Sequence, residues 1–130
     1  LHDLPQPYRV CLAATPVDAS DRFLFHKTTH RRVYEQARHE CAHVDDALLW
    51  NRDGELTEST IGNLVVERDG ALLTPPIRCG LLAGVYREFL LQSGAIQESV
   101  IHRDELNACT RICLVNSVRG MWDVSLADRP

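Results

Sequence analysis

Apolar and polar residues alternate over short stretches of this chain, and two longer stretches switch to helical spacing. Tyr8-Arg9-Val10-Cys11-Leu12-Ala13 alternates and is rich in strand formers, which predicts a strand. A loop follows over residues 15–21, and residues 23–26 read as a second short strand ending at Lys27. Between Thr29 and Ala42, Val33, Tyr34, Ala37 and Cys41 recur at helical spacing among charged residues, which predicts an amphipathic helix. Residues 45–51 form a compact apolar strand, closed by an Asp53-Gly54 turn. Leu64-Val65-Val66-Glu67 and Ala71-Leu72-Leu73-Thr74 flank Arg68-Asp69-Gly70 and read as a hairpin, which Pro75-Pro76 ends.

Beyond the prolines, residues 79–84 form a glycine-punctuated loop. A second helix runs over residues 85–93, with Tyr86, Phe89 and Leu90 on one face and Gly94 as its stop. Residues 96–101 alternate like a strand, and residues 104–108 suit a short helix capped near His102. Residues 111–115 predict a strand that Asn116-Ser117 ends. Residues 118–124 predict a further strand or turn, and the tail after Leu126 is loose. Many short strands with two clear helices give an α+β arrangement, without the regular alternation of a parallel α/β fold.

Composition narrows the function. A chain of 130 residues, 45% hydrophobic, buries one core and makes one domain. A net charge of -4 argues against nucleic acid as a partner, since a nucleic-acid binder shows a basic face. No apolar run approaches the length of a membrane span, and the N-terminus lacks a signal layout, so a cytoplasmic setting is expected. Five cysteines, Cys11, Cys41, Cys79, Cys109 and Cys113, are odd in number and follow no framework spacing; free thiols in a reducing compartment are the expectation. Neither His39/Cys41/His43 nor Cys109/Cys113 has a structural zinc spacing.

Three stretches carry chemistry. Lys27 is the single lysine of the chain, every other side-chain cation of that class being arginine. An apolar aromatic run delivers it to the mouth of a helix, with Arg31 and Arg32 following. Burial beside other cations favours the neutral amine that attacks an aldehyde. Glu58 lies among small hydroxylated residues between apolar strands, where a buried carboxylate needs a cationic or hydrogen-bonding partner. Gly80-Leu81-Leu82-Ala83-Gly84 opens a helix at Val85-Tyr86, an arrangement that presents backbone N–H groups to an anion. Asn116-Ser117-Val118, at a strand end, could add donors to the same anion.

In this order and spacing, the lysine, Thr57-Glu58 with Asn63-Leu64, Gly84-Val85-Tyr86-Arg87 and Leu114-Val115-Asn116-Ser117-Val118-Arg119-Gly120 resemble the class IV aminotransferases. These are pyridoxal-phosphate enzymes of fold type IV. The ending and His26-Lys27-Thr28-Thr29-His30-Arg31 are most similar to aminodeoxychorismate lyases, especially lyase domains fused behind an aminobenzoate synthase component.

The resemblance implies the large C-terminal domain of the D-amino-acid aminotransferase-like fold, a strand-rich pseudo-barrel with flanking helices, over residues 1–130. It implies pyridoxal 5'-phosphate as cofactor and a small molecule akin to aminodeoxychorismate as substrate. A fused or separate aminobenzoate synthase component and a homodimer follow as possible partners. Lys27 would bond the cofactor aldehyde and later carry protons. Glu58 would pair with the protonated pyridine nitrogen. Val85 and Tyr86 would offer backbone N–H to the phosphate, Ser117 and Val118 would stand nearby, and Arg31 would approach the phenolic oxygen or a substrate carboxylate. Two departures stand out: Tyr86 replaces the family's threonine, and nothing corresponds to the smaller N-terminal domain that closes the site. The implied reaction is cleavage of 4-amino-4-deoxychorismate to 4-aminobenzoate and pyruvate. Transamination by the same lysine is the first rival, and a non-catalytic half-domain the second.

Overall fold

The computed structural model describes residues 7–20 and 27–127, with residues 27–30 described as backbone. The strand expected over residues 23–26 lies outside them. The described strands are β1 (Arg9–Leu12), β2 (Asp46–Trp50), β3 (Leu56–Ser59), β4 (Asn63–Arg68), β5 (Ala71–Thr74), β6 (Gln97–Glu98), β7 (Arg111–Asn116), β8 (Gly120–Asp123) and β9 (Ser125–Leu126). Two α-helices accompany them, α1 (Lys27–Glu40) and α2 (Val85–Gln92). Neither is long and apolar enough to cross a membrane.

The pairing runs β9-β1-β2-β3-β4-β7-β8, and β5-β6 branch from the far end of β4. β8 leads directly into β9, so the chain crosses from the β7 edge to the β1 edge and closes the sheet on itself. The bonds from Val124 N–H to the Ile112 carbonyl and from Ser125 N–H to the Tyr8 carbonyl, 2.9 and 2.8 Å, stitch that crossing. This is the strand-rich pseudo-barrel expected of the sequence.

Alternation along the strands divides the apolar residues between two faces. Val10, Leu48, Leu64, Val66, Leu114 and Trp122 point into the closed interior with Tyr8, Trp50, Leu56 and Ile101. Their neighbours Cys11, Ala47 and Leu49 face outward under Ala37 and Cys41 at the back of α1. Val65, Cys113 and Val115 face outward under Leu90 of α2. Strands covered on both faces read as continuous apolar runs, which explains the density of β2 and β4. The hairpin between β4 and β5 turns through Asp69 and Gly70, both at positive φ (53° and 81°), the two-residue turn whose twist matches the strands.

Two expectations need correction. Cys11 and Cys41 form a disulfide between β1 and the residue after α1, with Cα atoms 6.2 Å apart. Sequence spacing carries no information on this pairing, because it arises from α1 folding back over β1. The free thiols are Cys79, Cys109 and Cys113. The alternation over residues 96–101 yields only Gln97 and Glu98 as a paired edge strand, with Ile96 and Ile101 buried on either side. The short helix expected over residues 104–108 is present as a 3-10 helix, Arg103–Ala108, capped at His102: its ring accepts from Asp104 N–H and Glu105 accepts from His102 N–H.

Candidate functional site

Glu58 reaches its position through an irregularity. Leu48 pairs with Ser59 and Trp50 with Leu56, a register shift that breaks strict alternation along β3. Glu58 then sits opposite Asn63, on the outer face between the two helices rather than in the barrel interior. It is 3% exposed. The Tyr34 hydroxyl, from α1, donates to Glu58 Oε2 at 3.1 Å, and Leu82 N–H points to Oε1 at 3.4 Å. Burial, then the charge of Glu58 and the bond to it, push the Tyr34 phenol far above its ordinary value, so it stays a neutral donor.

Across from Glu58 stands the N-terminus of α2. Gly84 is its N-cap and supplies no side-chain cap, and the first intrahelical bond is Glu88 N–H to the Gly84 carbonyl at 3.1 Å. The N–H groups of Val85, Tyr86 and Arg87 therefore have no acceptor within the helix, and the helix dipole adds partial positive charge there. Asn63 holds the preceding loop with both ends of its amide. Its Nδ2 donates to the Leu82 carbonyl at 2.8 Å, and its Oδ1 accepts from Gly84 N–H at 3.2 Å. Arg87, 1% exposed, anchors the same turn from behind by donating to the Pro75 carbonyl at 3.0 Å and pairing with Glu88 and Glu98.

The β7–β8 turn forms the third wall. Asn116 Oδ1 accepts from Val118 N–H at 3.2 Å and Arg119 N–H at 2.8 Å, while its Nδ2 donates to the Ile61 carbonyl at 3.0 Å. The β7–β8 turn is thereby tied to the β3–β4 turn. Thr60 in the latter is held by the buried Asp46, whose Oδ1 accepts its hydroxyl at 2.5 Å.

These walls enclose a cavity of about 330 Å³ lined by Tyr34, Glu58, Asn63, residues 82–87, Asn116 and Ser117 with their neighbours. Its size suits a small ligand. Two glycines let its walls pack closely: a Cβ on Gly84 would meet Asn63 Oδ1 at 2.5 Å, and one on Gly62 would meet the Val115 carbonyl oxygen at 2.6 Å. A buried carboxylate on one wall and a helix N-terminus on another can hold a molecule that is cationic on one side and anionic on the other. A protonated pyridine carrying a phosphate has that charge pattern, so the residues present fit pyridoxal phosphate.

The structure brings Glu58, Val85, Tyr86 and Ser117 to this cavity. Lys27 is the first residue of α1, and its side chain lies outside the described residues. Val118 is not among the lining residues; it is 65% exposed and its N–H is engaged by Asn116. Arg31 is exposed on α1 and is likewise not among the lining residues. Tyr86 stacks its ring on Phe89, 5.9 Å between centroids, and its hydroxyl lies 3.9 Å from where a Cβ on Gly120 would stand, beside the β7–β8 turn. Sequence reasoning missed Tyr34, which the helical pattern assigns to packing. It also gave no role to the Asn63 amide, although an asparagine opening an apolar strand was a usable signal.

The family model for class IV amino-transferases matches residues 2–127. A Schizosaccharomyces pombe protein provisionally named an aminodeoxychorismate lyase is 32% identical over 132 residues, covering 95% of this chain and 57% of that protein. A Mesorhizobium loti structure provisionally described as an amino-acid aminotransferase superposes with a TM-score of 0.84 at 38% identity, covering 92% of this chain and 59% of that one. The 4-amino-4-deoxychorismate lyase of Pseudomonas aeruginosa gives 0.81 at 26% identity, covering 95% and 48%. The chain thus spans about half the length of these relatives.

Proposed function

The chain belongs to the class IV aminotransferase family, and on that premise we propose that residues 1–130 are the pyridoxal-phosphate-binding domain of a 4-amino-4-deoxychorismate lyase. The observation that carries the cofactor part is the buried Glu58 in one cavity with the open N-terminus of α2. Pyridoxal phosphate, when bound, supplies an electron sink for a carbanion next to the substrate amine. Glu58 holds the proton of the ring nitrogen in place. The N–H groups of Val85 and Tyr86 receive the phosphate, with the Ser117 hydroxyl and the Val118 turn at its side. Lys27 would hold the cofactor aldehyde and, once the substrate amine has taken its place, would move the proton that leaves the substrate carbon; Arg31, exposed on α1, would serve the cofactor's phenolic oxygen or a substrate carboxylate. Breakage of the bond between the ring and the enolpyruvyl oxygen, with return of that proton to the departing enol carbon, would release pyruvate and leave 4-aminobenzoate, with no second substrate consumed.

Two kinds of support favour the lyase: the Asn116-Ser117-Val118 ending and the names of the fission-yeast and Pseudomonas relatives. The Mesorhizobium relative, the more identical of the two structures, favours amino-acid transamination instead. One assay separates them. The chain loaded with pyridoxal phosphate is given 4-amino-4-deoxychorismate without a keto acid, and 4-aminobenzoate fluorescence and pyruvate are followed together. Equal release of both supports the lyase. Conversion of the cofactor to its amine form by an amino acid, with no pyruvate from 4-amino-4-deoxychorismate, supports the transaminase. A protein that takes up no pyridoxal phosphate removes both and leaves a non-catalytic half-domain that packs against a partner or a copy of itself.

A further inference from the structure

Glu58 is gripped from α1, the helix that opens with Lys27. Tyr34 stands seven residues after Lys27, two turns on, so their Cα positions share one face of α1. Its hydroxyl, in a half-buried side chain, donates to Glu58 Oε2 at 3.1 Å, and Leu82 N–H addresses Oε1 at 3.4 Å from the opposite wall. These two donors, from opposite walls, restrain the plane of the carboxylate about its last torsion. The carboxylate so restrained lines the cavity.

We propose that Tyr34 is a positioning residue that aims Glu58 at the ring nitrogen of the cofactor and holds the nitrogen's proton on the ring. This inference rests on the pyridoxal-phosphate reading of the cavity. A carboxylate that already accepts a phenol O–H competes less for the ring proton than one whose lone pairs are open. The phenol can serve in this way because burial and the Glu58 charge keep it protonated. Ring protonation is what makes the cofactor an electron sink, so the hydroxyl of Tyr34 acts on the chemistry through Glu58. By its place on α1, Tyr34 also ties the position of the acid to that of the helix bearing the amine.

The test compares the wild-type chain with Tyr34→Phe, which keeps the ring and removes the donor. Pyridoxal phosphate labelled with nitrogen-15 reports ring protonation by NMR, equilibrium dialysis gives Kd, and apo-protein melting controls for folding. Tyr34→Phe should weaken binding roughly tenfold, the scale of one hydrogen bond to a charged group. The ring-nitrogen signal should move toward its unprotonated position. Trifluorotyrosine placed at position 34, a stronger donor of similar shape, should move the signal the other way, and it decides the matter if Tyr34→Phe fails to fold. A wild-type chain that binds, with the nitrogen signal unmoved in the variants, overturns the role of Tyr34. A wild-type chain that binds no pyridoxal phosphate overturns the cofactor reading and this inference with it.

Discussion

Gly84→Ala places one methyl group where the candidate cofactor cradle is tightest. The added Cβ would stand 2.5 Å from Asn63 Oδ1, well inside van der Waals contact. Asn63 cannot step aside cheaply, because it is 5% exposed and its other amide atom is bonded to the Leu82 carbonyl. Either the amide rotates and gives up its two bonds to the loop, or the loop lifts and carries the first turn of α2 with it. Two neutral hydrogen bonds contribute about 2 kcal/mol together, and forced overpacking costs about 1–3 kcal/mol. Gly84 has φ -67°, an ordinary value, so alanine recovers about 0.5–1 kcal/mol by restricting the unfolded chain. The net expectation is a loss of about 1–2 kcal/mol in urea unfolding followed by tryptophan fluorescence. A fall in pyridoxal-phosphate affinity of about tenfold or more should accompany it, as the N–H groups of Val85 and Tyr86 shift. Gly94→Ala is the control: Gly94 has φ 81° with nothing within 4 Å of a Cβ, so it should cost about 1–2 kcal/mol of strain and leave affinity alone. A Gly84→Ala protein with unchanged stability and an affinity within about twofold of wild type would refute the clamp by Asn63.

Two further outcomes follow from the local electrostatics. Burial alone would raise the Glu40 carboxyl, but bonds from the Thr15 hydroxyl and the N–H groups of Ala14 and Thr15 outweigh it and hold the group below its ordinary value. A depressed carboxyl stabilises the fold above its unfolded pKa, and that stability is lost as pH falls through the folded one. Glu40→Gln should therefore cost about 1 kcal/mol at pH 7, with the gap closing below about pH 4; urea midpoints showing a constant gap would contradict this. Burial, followed by a hydrogen bond to Asp123, pushes the Cys113 thiol up to about 12, and burial, followed by the Glu55 charge, pushes Cys79 up to about 11. Iodoacetamide at pH 8 should label neither thiol until urea unfolds the chain, and mass spectrometry of native labelled protein tests it.

Local features were the most legible in the sequence. The β4–β5 hairpin follows from Asp69-Gly70 between apolar runs, and α1 and α2 follow from apolar residues at helical spacing. The burial of Glu58 was foreshadowed by its setting, since a carboxylate flanked by small residues between two apolar strands has little room to reach water. Barrel closure was hidden. β1 pairs in parallel with both β2 and β9, and β9 contributes two residues with no periodicity of their own. The Cys11–Cys41 bond was hidden for a similar reason, as 30 residues of chain separate its halves. The bulge in β3 decides which face Glu58 occupies, and strict alternation along Leu56-Thr57-Glu58-Ser59 points the wrong way. Tyr34 looks like one more packing residue until its hydroxyl is seen on Glu58.

The amine at the head of α1 provides the most direct test of the account. The chain is incubated with pyridoxal phosphate, reduced with borohydride, digested and mapped by mass spectrometry beside a Glu58→Ala variant. One reduced pyridoxyl group on Lys27, saturating with cofactor and much diminished in the variant, is the predicted result. A label confined to amines other than that of Lys27, or one on Lys27 indifferent to the loss of Glu58, would contradict it.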